Sequence, residues 1–275
     1  MGVWLLPAML AIAAILVAAR DRPRLRLALS PVWVRTVHDI SYGPRPENRL
    51  DILTRRWSTG HANHPAVIVF HGGGWRDGVP EDMLVRVCHR YLERGFVVAN
   101  VEYRQGSIPA AVEDAALALK WFFQHAPEYG GNRARIVVTG ESAGAQLALI
   151  SAFRSQERVA AIVNFYGVSD LVAMLDRPAI RAVLPVDHTE LVAREMSPLT
   201  YVRSGLPPLI SIHGTADELV PISQTAILTR AVREAGGEAR EVYVEGGRHG
   251  FGSNQQEKAY AAVFDFLKRC DILDR

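Results

Sequence analysis

The sequence predicts one α/β domain on a mostly parallel sheet of eight strands, with helices on both faces. Three observations carry this expectation. Short apolar, β-branched runs alternate with longer segments of helical period from about residue 33 to residue 269, and such alternation builds parallel sheets covered by crossover helices. Runs such as AVIVF (66–70) are apolar throughout, as a strand buried on both faces requires. No internal repeat or long polar linker interrupts the series, and 275 residues with 49% hydrophobic content suffice for one large core.

Taken in order, WVRTVHDISY (33–42) and NRLDILTR (48–55) read as two strands joined by the turn GPRPE. AVIVF is the third strand, a helical stretch covers 81–94, and FVVANVEY (96–103) is the fourth strand. PAAVEDAALALKWFFQHA places Val112, Ala115, Ala116, Leu119, Phe122 and Phe123 on one helix face. Pro109 suits its first turn, and Pro127 with Gly130 and Gly131 ends it. Strand 135–139, helix 143–153 and strand 159–165 follow, then an irregular stretch, 167–206, too long for a plain connection and expected to form a small lid. Strand 208–213, helix 222–236, strand 240–245 and helix 254–269 complete the series.

Composition narrows the partners. The net charge is +2 and the basic residues are dispersed, which argues against nucleic acid. Cys88 and Cys270 form no disulfide framework and read as buried helical thiols. The histidine pairs His61/His64 and His71/His89 lack partners at metal-site spacing, so no metal and no cofactor is expected. Residues 1–27 form an apolar segment and a basic linker ahead of a domain spanning 28–275. The uncharged stretch 3–19 is at the short limit of a bilayer span, and arginines follow it. It reads first as an uncleaved membrane anchor with the domain in the cytoplasm, with a cleaved export signal ending in VAA, or a helix packed on the domain, as alternatives.

The chemistry is concentrated after strand ends, where open parallel sheets gather their ligands. In VTGESAGAQL (137–146) a strand runs into a helix through Ser142, flanked at minus two and plus two by Gly140 and Gly144. A turn that sharp crowds its neighbours, and glycine relieves the crowding; G-x-S-x-G is the pattern of a nucleophile elbow. After 66–70 comes HGGGWRDG, whose glycines can present backbone N–H groups without side chains in the way. The N–H groups of Gly73, Gly74 and Ala143 are the candidate oxyanion hole, each donor typically contributing about 3–4 kcal/mol to the transition state. Trp75, just beyond, is a candidate lining residue of the substrate pocket. Asp217 follows strand 208–213 in HGTADELVP, and His249 follows strand 240–245 in GGRHGF. The order Ser, Asp, His, each after its own strand, gives a nucleophile, an orienting acid and a base that titrates near neutrality. His213 is the rival base and Asp170 the rival acid. Glu141 is expected to point away and support the elbow, and His71 to anchor the glycine tract.

With these residues in place, the sequence resembles the α/β-hydrolase superfamily, specifically its HGGG-bearing esterase branch. That branch includes hormone-sensitive-lipase-like carboxylesterases, feruloyl- and acetylxylan-type esterases, kynurenine formamidases and prenylcysteine methylesterases. The resemblance spans about residues 33–270 through HGGGW, VEYR, PAAVEDAALALKWF, GGNRARIVVTGESAGAQLA, SPLTYV, HGTADELVP and GGRHGF. It implies an α/β-hydrolase fold and a serine hydrolase that cleaves small carboxylic esters through an acyl-enzyme. Arylformamidase or small-peptide amidase chemistry, and a non-catalytic hydrolase-like binding protein, stand as alternatives. Three positions depart from the family pattern: Ala145 where many relatives carry a third glycine, Arg248 before the histidine, expected to be exposed, and Asn132 in place of the usual Asp, expected to be structural.

Overall fold

The computed structural model describes residues 31–56 and 63–274. The expectation for residues 3–19 therefore lies outside the described residues, and among those described no helix is long and apolar enough to cross a membrane. Eight strands form one sheet: β1 (Val34–Ser41), β2 (Arg49–Arg55), β3 (His64–Phe70), β4 (Val97–Val101), β5 (Gly131–Glu141), β6 (Ala161–Phe165), β7 (Leu209–Gly214) and β8 (Ala239–Val244). Their spatial order is β1-β2-β4-β3-β5-β6-β7-β8. β2 pairs antiparallel with both β1 and β4, and every pairing from β4 through β8 is parallel. The alternating pattern requires a mostly parallel α/β sheet, and the one observed is that of the α/β-hydrolase fold implied by the resemblance.

The helices are α1 (Glu81–Met83), continued by a π-helical turn (Leu84–Cys88) into α2 (His89–Leu92), then α3 (Ile108–His125) and α4 (Ala143–Arg154). Two short helices, α5 (Pro178–Arg181) and α6 (Thr189–Glu195), precede α7 (Ser223–Glu234) and α8 (Ser253–Arg269). Period-2 alternation splits the buried strand residues between two cores. Ile68 and Phe70 face one side with α3 and α4, among Ala115, Phe122 and Leu147. Val67 and Val69 face the other with α2 and α8, among Tyr91, Val263 and Phe264.

The helical stretch expected over 81–94 is present as α1, the π turn and α2. Two other expectations need correction. On α3, Ala118 is buried and Ala116 exposed; alanine's single methyl fits a core or a surface equally, so its burial follows the neighbouring bulky residues. Cys88 is buried in the π turn, but Cys270 caps α8 and is only partly covered. The stretch 167–206 is ordered around α5, α6 and two 3-10 turns, Val172–Met174 and Pro198–Tyr201.

Helix α3 buries Asp114 completely. Its carboxylate is tolerated there because Arg104 meets it through the backbone N–H (2.8 Å), Nε (2.9 Å) and Nη2 (2.8 Å). Asp114→Ala leaves the Arg104 backbone N–H and Nε without this acceptor while Nη2 keeps Glu113 and Ala110 O, and breaking such a pair from one side is expected to lower the unfolding free energy by about 3 kcal/mol. Urea denaturation of the two proteins measures it.

Candidate active site

The elbow is built where β5 passes into α4. Ser142, the N-cap of α4, has φ 55° and ψ −117°, a conformation that costs a non-glycine residue energy. The surroundings hold it there: its N–H donates to Phe165 O (2.9 Å), and its carbonyl accepts from Ala145 and Gln146 N–H (both 3.1 Å). The flanking glycines have a steric cause. A Cβ on Gly140 would run into the Gly144 carbonyl, and one on Gly144 into the carbonyls of Phe70 and His71 at the end of β3. β3, β5 and α4 thus meet backbone to backbone. Gly144→Ala pushes α4 away from the glycine tract and is expected to cost about 1–3 kcal/mol of stability. It should depress kcat as well, which a thermal melt and an ester assay on the same preparation check together.

Ser142, His249 and Asp217 form one hydrogen-bonded chain. His249 Nε2 lies 2.8 Å from Ser142 Oγ, and His249 Nδ1 lies 2.8 Å from Asp217 Oδ2. The other oxygen of Asp217, Oδ1, accepts the N–H groups of Leu219 and Val220, each at 2.9 Å. Burial opposes the charge on Asp217, yet hydrogen bonds from His213, His249 and the Val220 amide outweigh it. The carboxyl is held well below the usual carboxylate range. The Tyr166 ring leans on His249 with centroids 4.8 Å apart, walling one face of the imidazole.

The glycine tract passes directly beside the serine. A Cβ on Gly72 would sit 3.7 Å from Ser142 Cβ, in ordinary contact, but only 3.1 Å from the Glu141 carbonyl oxygen, which is tight. Gly73 (φ 120°) and Gly74 (φ 59°) have the backbone conformations that favour glycine. Among the described residues no acceptor is hydrogen-bonded to the N–H groups of Gly73, Gly74 or Ala143. His71 supports the tract: its Nδ1 lies 2.7 Å from Gly72 O and its ring stacks on Tyr103 at 4.2 Å. The Tyr103 hydroxyl donates to His71 O at 2.8 Å. Trp75 borders the cavity but is almost wholly buried, with its indole N–H donated to Gln146 Oε1 at 3.0 Å. Gln146, one turn into α4, therefore couples the tract to the elbow, a role its position in the sequence does not signal.

Above the serine lies a cavity of about 730 Å³. Met174, Arg177 and Ile180 from the 167–206 segment form part of its wall. Glu141 does not point away as expected. It borders the cavity, buried, in an ion pair with Arg86 at 2.9 Å. Burial raises the Glu141 carboxyl above its ordinary value despite the pull of Arg86, Tyr166 and His249. Burial, with the charge of Glu141 beside it, pushes the Tyr166 hydroxyl well above its ordinary value.

The two rivals fall elsewhere. Asp170 Oδ1 accepts the N–H groups of Val172 and Ala173 and caps a turn. His213 lies behind Asp217 rather than beside Ser142, with Nε2 3.3 Å from Asp217 Oδ2. Arg248 is exposed and pairs with Glu218, and Asn132 Oδ1 accepts Ala134 N–H in a local turn. The methyl of Ala145 is buried against Gly167.

Comparison with known proteins finds esterases by both sequence and fold. Residues 50–232 match the BD-FAE family. Esterase LipQ of Mycobacterium tuberculosis is 30% identical over 224 residues, covering 72% of this chain and 53% of LipQ. A probable isoprenylcysteine alpha-carbonyl methylesterase, ICMEL1 of Arabidopsis thaliana, is 29% identical over 76% of this chain and 50% of its own. The chain thus spans about half the length of the curated relatives it matches. Among solved structures, the apo form of Thermogutta terrifontis esterase 2 superposes with a TM-score of 0.76 at 26% identity, covering 90% of this chain and 98% of that one. The chain belongs to the BD-FAE family, within the esterase branch of the α/β-hydrolases.

Proposed function

We propose that this protein is a serine carboxylesterase that hydrolyses small carboxylic esters through an acyl-enzyme on Ser142. The observation that carries the reading is the unbroken hydrogen-bonded chain from Ser142 Oγ through His249 to Asp217, on the floor of an accessible cavity. Ser142 Oγ attacks the ester carbonyl carbon while His249 Nε2 takes its proton. The carbonyl oxygen, now negative, is held by the N–H groups of Gly73, Gly74 and Ala143. Collapse of the tetrahedral species breaks the bond to the alcohol, which leaves with the proton from His249. Water then repeats the sequence on the acyl-enzyme, releasing the acid and restoring Ser142. Asp217 keeps Nδ1 of His249 protonated and stabilises the imidazolium that forms in each half.

Ester rather than amide substrates are favoured by the relatives' names, which specify esterase, carboxylic ester hydrolase and methylesterase. Arg86 and Arg177 border the cavity while Met174, Ile180 and Val168 give it an apolar wall, which suits a small ester with one apolar group. A panel of p-nitrophenyl esters of increasing chain length, set against N-formylkynurenine and aminoacyl amides, tests the assignment. Highest kcat/KM on a short ester supports it, and highest kcat/KM on the formamide or an amide replaces it with amidase chemistry.

A further inference from the structure

His213 is the last side chain of β7 before Gly214 and is completely buried. Both ring nitrogens are engaged. Nδ1 lies 2.8 Å from the hydroxyl of Thr225, in the first turn of α7, and Nε2 lies 2.9 Å from Val220 O. The same Nε2 is 3.3 Å from Asp217 Oδ2, the oxygen that also receives Nδ1 of His249. Facing two acceptors and no donor, Nε2 carries the proton, and Nδ1 accepts from Thr225. The Nε2–H is hydrogen-bonded to Val220 O, and Asp217 Oδ2 lies within ion-pair distance of the same nitrogen, so Oδ2 sits between two imidazoles, one the base and one behind.

We infer that His213 is a positioning residue for the reaction, its Nε2–H fixing Asp217 Oδ2 and sharing its negative charge so that His249 can release as well as accept a proton. The inference rests on the Ser142–His249–Asp217 reading and deepens it. A buried carboxylate oxygen with one donor concentrates its charge on that donor and binds the imidazolium tightly. A second donor spreads the charge and loosens that hold. The other ionisable groups around the chain lie elsewhere. Glu141 and Tyr166 approach His249 from the ends of β5 and β6, with Arg86 neutralising Glu141. Arg177 donates to the carbonyls of Glu218 and Leu219, and Arg248 pairs with Glu218 at the exposed rim. Among these described contacts, His213 alone reaches Oδ2 from the side away from His249.

Two His213 variants test the inference against mere packing. His213→Leu removes the N–H, whereas His213→Gln carries an amide nitrogen that can reach the same place. In His213→Leu the acid limb of kcat/KM is expected to move up by about half to one pH unit, because His249 then holds its proton more tightly. kcat should fall about tenfold with KM within about twofold, and His213→Gln should recover most of both changes. An unmoved acid limb in a folded His213→Leu protein, or a Gln variant no better than Leu, overturns the inference.

The wild-type protein gives a second measurement, independent of whether a variant folds. Imidazole nitrogen NMR should find His213 protonated at Nε2 only, and its signal should shift when a phosphonate on Ser142 charges His249. A His213 signal indifferent to that adduct overturns the inference as well. Ser142→Ala, assayed alongside, separates the two levels. Retained turnover there brings down the triad reading itself, whereas an inactive Ser142→Ala with an unmoved His213→Leu profile removes only the role of His213.

Discussion

Ser142→Ala is expected to lower kcat on short p-nitrophenyl esters by on the order of 10⁶-fold while leaving the fold intact. Alanine keeps the Cβ, so the strained backbone at φ 55° gains no new clash, and the Ser142 side chain makes no capping hydrogen bond that alanine would forfeit. What disappears is the nucleophile and the 2.8 Å contact with His249. The cavity and the amide cradle survive, so KM should change far less than kcat and a weak background rate should persist. Mass spectrometry after phosphonate treatment provides the parallel readout, with label on the wild-type Ser142 peptide and none on the variant. Turnover within tenfold of wild type would place the nucleophile elsewhere and end the serine-esterase reading.

The residues that form this chain could be found in the sequence because a parallel sheet sorts them. Each of Ser142, Asp217 and His249 follows a separate strand, and parallel pairing brings the carboxyl ends of β5, β7 and β8 to one edge. Position after a strand is legible one residue at a time. Partnership across the fold is not. Glu141 meets Arg86, far back in the chain on a π-helical turn whose extra residue disturbs the helical period. His213 shows as a polar residue at a strand end, which fits a base as well as a buried partner of Asp217; only its distance from Oδ2 decides. The limits of β5 were hidden for another reason. Near its start Asn132, Arg133 and Arg135 are polar and Ala134 is exposed, so the apolar run marks only the portion inside the sheet. The strained serine, by contrast, left a clear trace, because no residue larger than glycine fits at 140 or 144.

Asp217→Asn is expected to lower kcat by about 10⁴-fold, for a reason visible in the hydrogen bonds already present. Oδ1 of residue 217 accepts two backbone N–H groups, from Leu219 and Val220. An asparagine at 217 keeps its oxygen there and turns its NH₂ toward the position of Oδ2. That NH₂ then faces Nδ1 of His249 at about the wild-type 2.8 Å, and Nδ1 can meet it only as an acceptor. The proton moves to Nε2, which can no longer take one from Ser142. The same NH₂ confronts the Nε2–H of His213, donor against donor, so a loss of stability accompanies the loss of rate. Its pH dependence has a definite sign. Asp217 in the folded protein is held below the ordinary carboxyl value of about 3.9, so its ionisation stabilises the fold fully above that value. The contribution fades as the pH falls further, toward the folded-state pKa. The urea midpoints of wild type and Asp217→Asn should therefore differ most at neutral pH and converge below about pH 4. A gap that widens on acidification would show that the carboxylate is not held in its charged form by these donors, and the orienting role of Asp217 would lose its electrostatic basis.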